Sequence, residues 1–137
     1  MKKLFSLLLK TKVKLPKRPY DGIISDFYYE RVTRELLGSK YCEISDSEEV
    51  FIKYLLLKLH QNNQKGFIQL TRMSSKAIDV SYNRYPIGKI KLQGNKTWMQ
   101  ILISLNEQDN LENESIESYV DAIDLWVAYI KKLKLNN

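Results

Sequence analysis

The stretch that decides the fold covers residues 67–104, FIQLTRMSSKAIDVSYNRYPIGKIKLQGNKTWMQILIS. Apolar side chains recur within it at every second position, in four short runs. These runs are Ile68 and Leu70; Ile78, Val80 and Tyr82; Ile90 and Leu92; and Met99, Ile101 and Ile103. A period of two is that of a strand with one buried face, and turn residues separate the runs at 74–75, 83–86 and 94–95. The stretch therefore predicts a four-stranded antiparallel meander over about residues 67–104.

Helical patterns lie on both sides of the predicted sheet. Ser45 followed by Glu48 fits a capping box, which predicts the start of a helix that ends in the polar run 61–64. An earlier helix is predicted to begin near Asp21 and to end at Gly38, where the glycine would act as the C-terminal cap. A closing helix is predicted over residues 115–134, because its apolar residues share one face.

The predicted fold is α+β, a four-stranded antiparallel meander packed against N-terminal helices and a C-terminal helix. One domain should span residues 1–137, because this length is ordinary for a single core. Its parts would be a basic N-terminal helix or arm (1–19), a helical part (20–64), the meander (66–104) and the closing helix (115–134). The helices should cover one face of the sheet and leave the other partly open.

The first residues combine an apolar stripe with lysines. The stripe follows helical spacing and consists of Met1, Leu4, Phe5, Leu8 and Leu9. It is too short to cross a bilayer, and no small-residue cleavage site precedes Pro16, so we interpret it as part of the mature protein. We expect its leucines to dock on the core. The cations that follow, from Lys10 to Arg18, have three open readings: solvent, a phosphate backbone or an anionic membrane surface.

Patterns that carry catalysis or bind metals are missing from the sequence. The chain has one cysteine, Cys42, and one histidine, His60, whereas structural zinc needs several such ligands. It has neither a glycine-rich phosphate loop nor the carboxylate pair that hydrolysis usually needs. We therefore predict a non-enzymatic binding protein with no cofactor and no metal. A single cysteine cannot form an internal disulfide, and no apolar segment is long enough to span a membrane, which predicts a cytoplasmic protein.

Charge is distributed unevenly along a chain whose net charge is +6. Residues 64–104 carry seven Lys and Arg against one acid. Alternation places Lys89, Lys91 and Trp98 on the outward face of the meander, where cations can hold phosphates and an indole can stack on a base. The sequence therefore favours nucleic-acid binding, at Arg72, Lys76, Arg84, Lys89, Lys91, Lys96 and Trp98. A solvated sheet face with protective lysines is the alternative.

An acidic stretch supports a hypothesis of a different class, the binding and regulation of another protein. Residues 105–137 carry seven acids against three lysines; the segment 106–114 is interpreted as an acidic loop, and acids continue on the outer face of the closing helix. Such a strip, or the sheet edge, can contact a cationic groove such as the nucleic-acid channel of a nuclease. The partner-binding residues would be Glu112, Glu114, Glu117, Asp121 and Asp124.

Small proteins of this composition are frequent among phage and plasmid accessory genes, where nuclease inhibitors are common. The partner is thus predicted to be nucleic acid or a nucleic-acid-handling protein.

Overall fold

The computed structural model describes residues 18–37, 42–104 and 106–135. These residues form three helices and five strands. The helices are α1 (Asp26–Leu37), α2 (Asp46–Gln61) and α3 (Ile116–Leu135), and the strands are β1 (Ile68–Arg72), β2 (Ile78–Tyr82), β3 (Tyr85–Lys91), β4 (Trp98–Ser104) and β5 (Glu107–Glu112). The predicted α+β class and antiparallel meander are confirmed. The predictions for the apolar stripe, for the lysines up to Lys17 and for Gly38 lie outside the described residues.

The sheet has five strands rather than four, and they lie side by side in chain order. Each pairs antiparallel with its neighbour, from Ile68 opposite Tyr82 to Ser104 opposite Glu107. The segment predicted to be an acidic loop is instead β5. An edge strand of which most residues are exposed needs no alternating apolar residues, so β5 carries no period-two signal. Its single apolar residue, Leu111, packs against the core.

The capping box that predicts the start of α2 is present in full. Ser45 Oγ accepts from the Glu48 amide at 3.2 Å, and Glu48 Oε1 accepts from the Ser45 amide at 2.9 Å. The first described helix starts later than predicted, at Asp26 rather than near Asp21. The residues before it form hydrogen-bonded turns, with the Ile24 amide donating to the Tyr20 carbonyl at 2.8 Å.

The core lies between the helices and one face of the sheet. Trp126 of α3 is fully buried and meets Phe51 of α2 edge to face, with ring centroids 5.6 Å apart. Seven of the eight predicted inward residues are buried: Ile68, Leu70, Ile78, Val80, Ile90, Met99 and Ile101. The eighth, Leu92, is half-exposed but packs against the core. The residues that alternate with them are mostly half-exposed, as expected for a sheet covered on one face.

α1 packs against β1 at one margin of the sheet. Thr71 Oγ1 of β1 donates to Glu35 Oε2 of α1 at 3.3 Å. The opposite margin is β5, of which five of the six residues are exposed. The two edges of the sheet therefore differ: one is next to a helix, and the other faces solvent.

Candidate functional site

The outward face of the sheet holds three of the residues predicted to bind nucleic acid, namely Lys89, Lys91 and Trp98, and all three are half-exposed. Lys89 lies opposite Asp79 on β2. Trp98 lies opposite Lys91 on one side and Glu112 on the other. Lys89 therefore has an acid on the adjacent strand, and Lys91 has one two strands away. Positive and negative side chains both occur on this face, which is not uniformly basic.

Arg72 is not on the surface, so its predicted role in phosphate binding is wrong. Only 6% of the residue is exposed. Its guanidinium forms a two-pronged ion pair with Glu48 of α2, at 2.6 Å from Nη1 to Oε2 and 3.0 Å from Nη2 to Oε1. It also donates to the carbonyl of Lys76 at 2.9 Å. Ile68, Leu70 and Arg72 follow one another at every second position of β1. Alternation along the strand therefore puts Arg72 on the same buried face as the two apolar residues.

Glu48 is the centre of a small polar network beneath the sheet. Gln93 donates to Glu48 Oε1 at 2.7 Å and to the carbonyl of Glu43 at 2.7 Å. Burial alone raises the pKa of Glu48, but the hydrogen bonds from Arg72, from the Ser45 amide and from Gln93 outweigh burial and hold that pKa below its ordinary value. The carboxylate therefore stays ionised inside the fold and joins α2 to the sheet.

Lys91 has a structural partner at its own strand end. Its ammonium donates to the carbonyl of Gln93 at 2.5 Å and to that of Lys96 at 3.3 Å. These two hydrogen bonds hold the loop between β3 and β4 together. A phosphate would have to compete with these two carbonyls for the ammonium, which lowers the value of Lys91 as a nucleic-acid contact.

The remaining predicted cations lie at opposite ends of the sheet. Lys76 occupies the β1–β2 turn and Lys96 the β3–β4 loop, which a meander places at the same end. Arg84 occupies the β2–β3 turn at the other end, and all three side chains are exposed. The structure therefore brings Lys76, Lys96 and the β3–β4 loop to one end, but it does not gather all seven predicted residues into one patch.

The acidic residues form a more continuous surface. Glu107, Asp109 and Glu112 are exposed on β5, which contains no Lys or Arg, and the exposed Glu114 follows at once. We name these four residues the acidic edge. The sequence places Glu107 and Asp109 in an acidic loop at the start of the predicted acidic strip, but the partner-binding residues named from it begin at Glu112. A run of acids around one apolar residue, Leu111, is the only signal that the sequence offers for this strand.

The acids of α3 continue the negative surface with different surroundings. Asp121 and Asp124 are exposed, and Glu117 is half-buried. Asp124 forms an ion pair with Lys58 of α2 at 3.0 Å, and the same ammonium donates to the Val120 carbonyl at 2.9 Å. Asp124 is therefore partly neutralised, whereas no ion pair within 4.0 Å involves the acidic edge in the described part of the chain.

The net charge of the chain does not come from the residues that the structure describes. The described residues contain fifteen Lys and Arg against sixteen Asp and Glu, so their net charge is −1. Residues 1–17 contain six lysines and no acid. The described residues are therefore nearly neutral as a set, although residues 64–104 alone contain seven Lys and Arg against one acid.

Comparison with protein-family models, with curated proteins and with solved structures finds no match. Within residues 18–37, 42–104 and 106–135, no helix has the length and apolar character required to cross a membrane. Those same residues contain no group of three or more His, Cys, Asp or Glu placed to hold a metal ion. Fold and surface together define an α+β domain, a five-stranded meander with three helices, whose exposed edge is acidic.

Proposed function

We propose that this domain binds a cationic surface of a partner protein through its acidic edge. The observation that carries the proposal is the position of β5, a strand with three exposed acids that forms the open margin of the sheet. Side chains on a strand have fixed directions and alternate between its two faces. Asp109 lies opposite Ile101, on the face of the core, and Glu112 lies opposite Trp98, on the outward face. Carboxylates on both faces of a rigid margin suit docking in a cleft lined by lysines and arginines of another protein.

Contact through side chains fits this edge better than addition of a partner strand. The Asn110 amide donates to the Asp109 carboxylate at 2.9 Å, so this backbone donor is already satisfied within β5. Charged side chains on an exposed edge also disfavour pairing with another sheet. The acids thus keep a second copy of the same strand away by like-charge repulsion and attract a cleft of opposite charge.

The proposed partner class is a nucleic-acid-handling protein, because a channel that holds phosphates is itself cationic. An acidic edge that enters such a channel competes with the nucleic acid for the same lysines and arginines. The result is inhibition or regulation of the partner without any chemistry in this domain.

Binding of decalysine, a cationic probe of defined charge, tests the acidic edge directly. Glu107→Gln, Asp109→Asn and Glu112→Gln together should weaken binding about tenfold at low salt, if each lost contact contributes about 0.5 kcal/mol. The matched control is Asp26→Asn, Glu30→Gln and Asp46→Asn, which removes the same charge from exposed acids elsewhere. Equal weakening by both triple variants would show a general charge effect and contradict a site at β5.

Direct nucleic-acid binding is the second candidate, and the register of Lys91 with Trp98 favours it. This pair, with the exposed Lys96, forms a small site where an indole and two cations lie together. Wild-type protein should then bind a random oligonucleotide at low salt, with an affinity that falls steeply as salt rises. Trp98→Ala should weaken that binding more on single strands than on duplex. Binding that is insensitive to Trp98→Ala and to Lys91→Ala with Lys96→Ala would contradict this second candidate.

A further inference from the structure

The C-terminal parts of α2 and α3 lie at one end of the sheet, the end that holds the start of β1 and the β2–β3 turn. Lys131 of α3 donates to Asn62 Oδ1, directly after α2, at 2.8 Å. Lys132 donates to the Ile103 carbonyl, near the end of β4, at 3.2 Å. The last turns of α3 therefore extend across this end of the molecule from α2 to β4.

This end of the molecule holds cations and no acids. We name it the basic end and define it as residues 60–67, 82–86, 103–104 and 128–135. Its Lys and Arg residues are all exposed: Lys65, Arg84, Lys131, Lys132 and Lys134. The other described residues contain ten Lys and Arg against sixteen acids, of which Glu107, opposite Ser104, borders the basic end. Charge is therefore separated within the described part of the chain.

The charges of the basic end are not neutralised, since no ion pair within 4.0 Å involves its Lys and Arg among the described residues. Lys131 and Lys132 each give one of three ammonium hydrogens to a neutral oxygen, so that two remain for a ligand. Helix dipoles favour the lysines at the end of α3, but Lys65 and Arg84 lie outside the helices. Arg84 has a φ of 71°, which is strained for arginine. The hairpin loses stability by holding a cation at its tip, which points to a role in binding.

Large apolar side chains are exposed among these cations. Phe67 is 60% exposed and Ile103 is 45% exposed, and both belong to the basic end. Ile23, which is 47% exposed, lines the same groove as Phe67 and Lys65. Exposed apolar side chains next to cations are typical of a surface that lies on a membrane, where the apolar groups enter the boundary between headgroups and acyl chains.

We infer that the basic end binds to the surface of a bilayer that contains anionic phospholipids. Its cations lie at the level of the lipid phosphates, and Phe67 and Ile103 enter the apolar boundary beneath them. A nucleic acid would use the same cations, but bases stack on aromatic side chains, and an isoleucine finds no apolar phase on a nucleic acid. The exposed Ile23 and Ile103 therefore favour a lipid surface.

The direction of the strands keeps most of the acidic edge away from such a surface. β5 starts beside the basic end and runs away from it. Its length places Glu112 about 17 Å beyond Glu107, at about 3.4 Å per residue. This separation exceeds the Debye length of about 8 Å at physiological salt, so an anionic bilayer repels Glu112 only weakly. The basic end is thus a second surface, and its binding to lipid does not depend on the partner proposed for the acidic edge.

Sedimentation of the full chain with lipid vesicles tests the charge requirement. The protein should sediment with vesicles of equal parts phosphatidylserine and phosphatidylcholine, and it should stay in solution with vesicles of phosphatidylcholine. Lys131→Gln, Lys132→Gln and Lys134→Gln together should weaken binding about a hundredfold, if each cation contributes about fivefold. The matched control is Arg34→Gln, Lys76→Gln and Lys96→Gln, which removes the same charge from exposed residues elsewhere. Equal weakening by the two triple variants, or no weakening by either, would overturn the inference.

The apolar requirement separates lipid from other anionic ligands. Phe67→Ser with Ile103→Ser should weaken sedimentation about tenfold, because two half-exposed apolar side chains no longer leave water on binding. Leu125→Ser should leave it unchanged, since Leu125 is 52% exposed on α3 and lies outside the basic end. If the full chain does not sediment with anionic vesicles but binds a random duplex through the same lysines, the ligand is nucleic acid and the inference is wrong.

Tryptophan emission measures insertion into the bilayer directly. Phe67→Trp should sediment as the wild type does, and its emission should shift to the blue when anionic vesicles are added. Leu125→Trp carries the same two native tryptophans and should show a smaller shift. Equal shifts in the two variants would place the bilayer contact elsewhere on the molecule and overturn the inference.

Discussion

The indole of Trp126 occupies the space that a β-carbon on residue 88 would need. A β-carbon on Gly88 would lie 2.7 Å from Trp126 Nε1 and 2.5 Å from the Gln100 carbonyl oxygen. Trp126 Nε1 donates to that same carbonyl at 2.9 Å. The glycine thus lets the central side chain of α3 reach the backbone of β4 and satisfy its N–H group in the core.

Gly88→Ala should therefore destabilise the domain by about 1–3 kcal/mol, because both neighbours are rigid and one is backbone. The direction of this change in stability is informative, because replacing a glycine by alanine at an unobstructed strand position is expected to stabilise the fold. Urea unfolding measures the change, with Ser81→Ala as a control expected to stay within about 0.5 kcal/mol. A stability equal to that of the wild type would mean that Trp126 does not hold this position in solution.

Arg72→Met should cost about 3–5 kcal/mol, because it leaves the Glu48 carboxylate buried without its cation. Replacing both partners, with Glu48→Leu added, should recover part of the loss. Recovery should be incomplete, since Glu48 also caps α2 and a lost cap costs about 1 kcal/mol. Chemical denaturation of the two single variants and the double variant gives the coupling energy, and additive losses would contradict the ion pair.

The stability of the domain should fall in acid through Glu48. Its pKa is lower in the folded state than the ordinary value of 4.5. A lowered folded pKa gives stability that is present above pH 4.5 and is lost as the pH falls through the folded pKa. Urea midpoints from pH 7 to pH 3 should therefore drop less in the variant with Glu48→Leu and Arg72→Met than in the wild type. If the urea midpoints of the two proteins fall in parallel, the loss of stability in acid comes from other carboxylates.

Arg84→Gly should stabilise the β2–β3 hairpin by up to about 1 kcal/mol. Asn83 and Arg84 both have positive φ, at 50° and 71°, between the paired Tyr82 and Tyr85. A two-residue turn of this kind favours glycine at its second position, where arginine is strained. Thermal unfolding should show a higher midpoint, whereas Lys89→Gly inside β3 should lower it. A lower midpoint for Arg84→Gly would indicate that the arginine side chain has a stabilising contact.

Period-two alternation was sufficient to predict four strands and the inward residues of the sheet, because one face of each is buried. It failed for β5, where five of the six residues are exposed and Leu111 is the one residue of the strand that packs against the core. The capping box could be predicted from the sequence because Ser45 and Glu48 are only three positions apart. The second role of Glu48, opposite Arg72, joins residues 24 positions apart and leaves no local pattern.

Charge alone could not place the side chains of the predicted nucleic-acid site. That prediction rested on the seven Lys and Arg against one acid in residues 64–104, and a count over a segment does not show where each side chain lies. Only the placement of each side chain shows that Arg72 is buried and that the ammonium of Lys91 is bound within its loop. The acids needed no such correction, since an edge strand exposes its side chains on both faces.

The order of the five strands has a consequence for how the protein is made. Each strand pairs only with the strands next to it in the chain, so every pairing in the sheet is a hairpin between neighbours. Contacts of short sequence separation close quickly, because little loop entropy opposes them. The sheet can thus assemble strand by strand during synthesis, and α3, which comes last, brings Trp126 to complete a core whose other side is already formed.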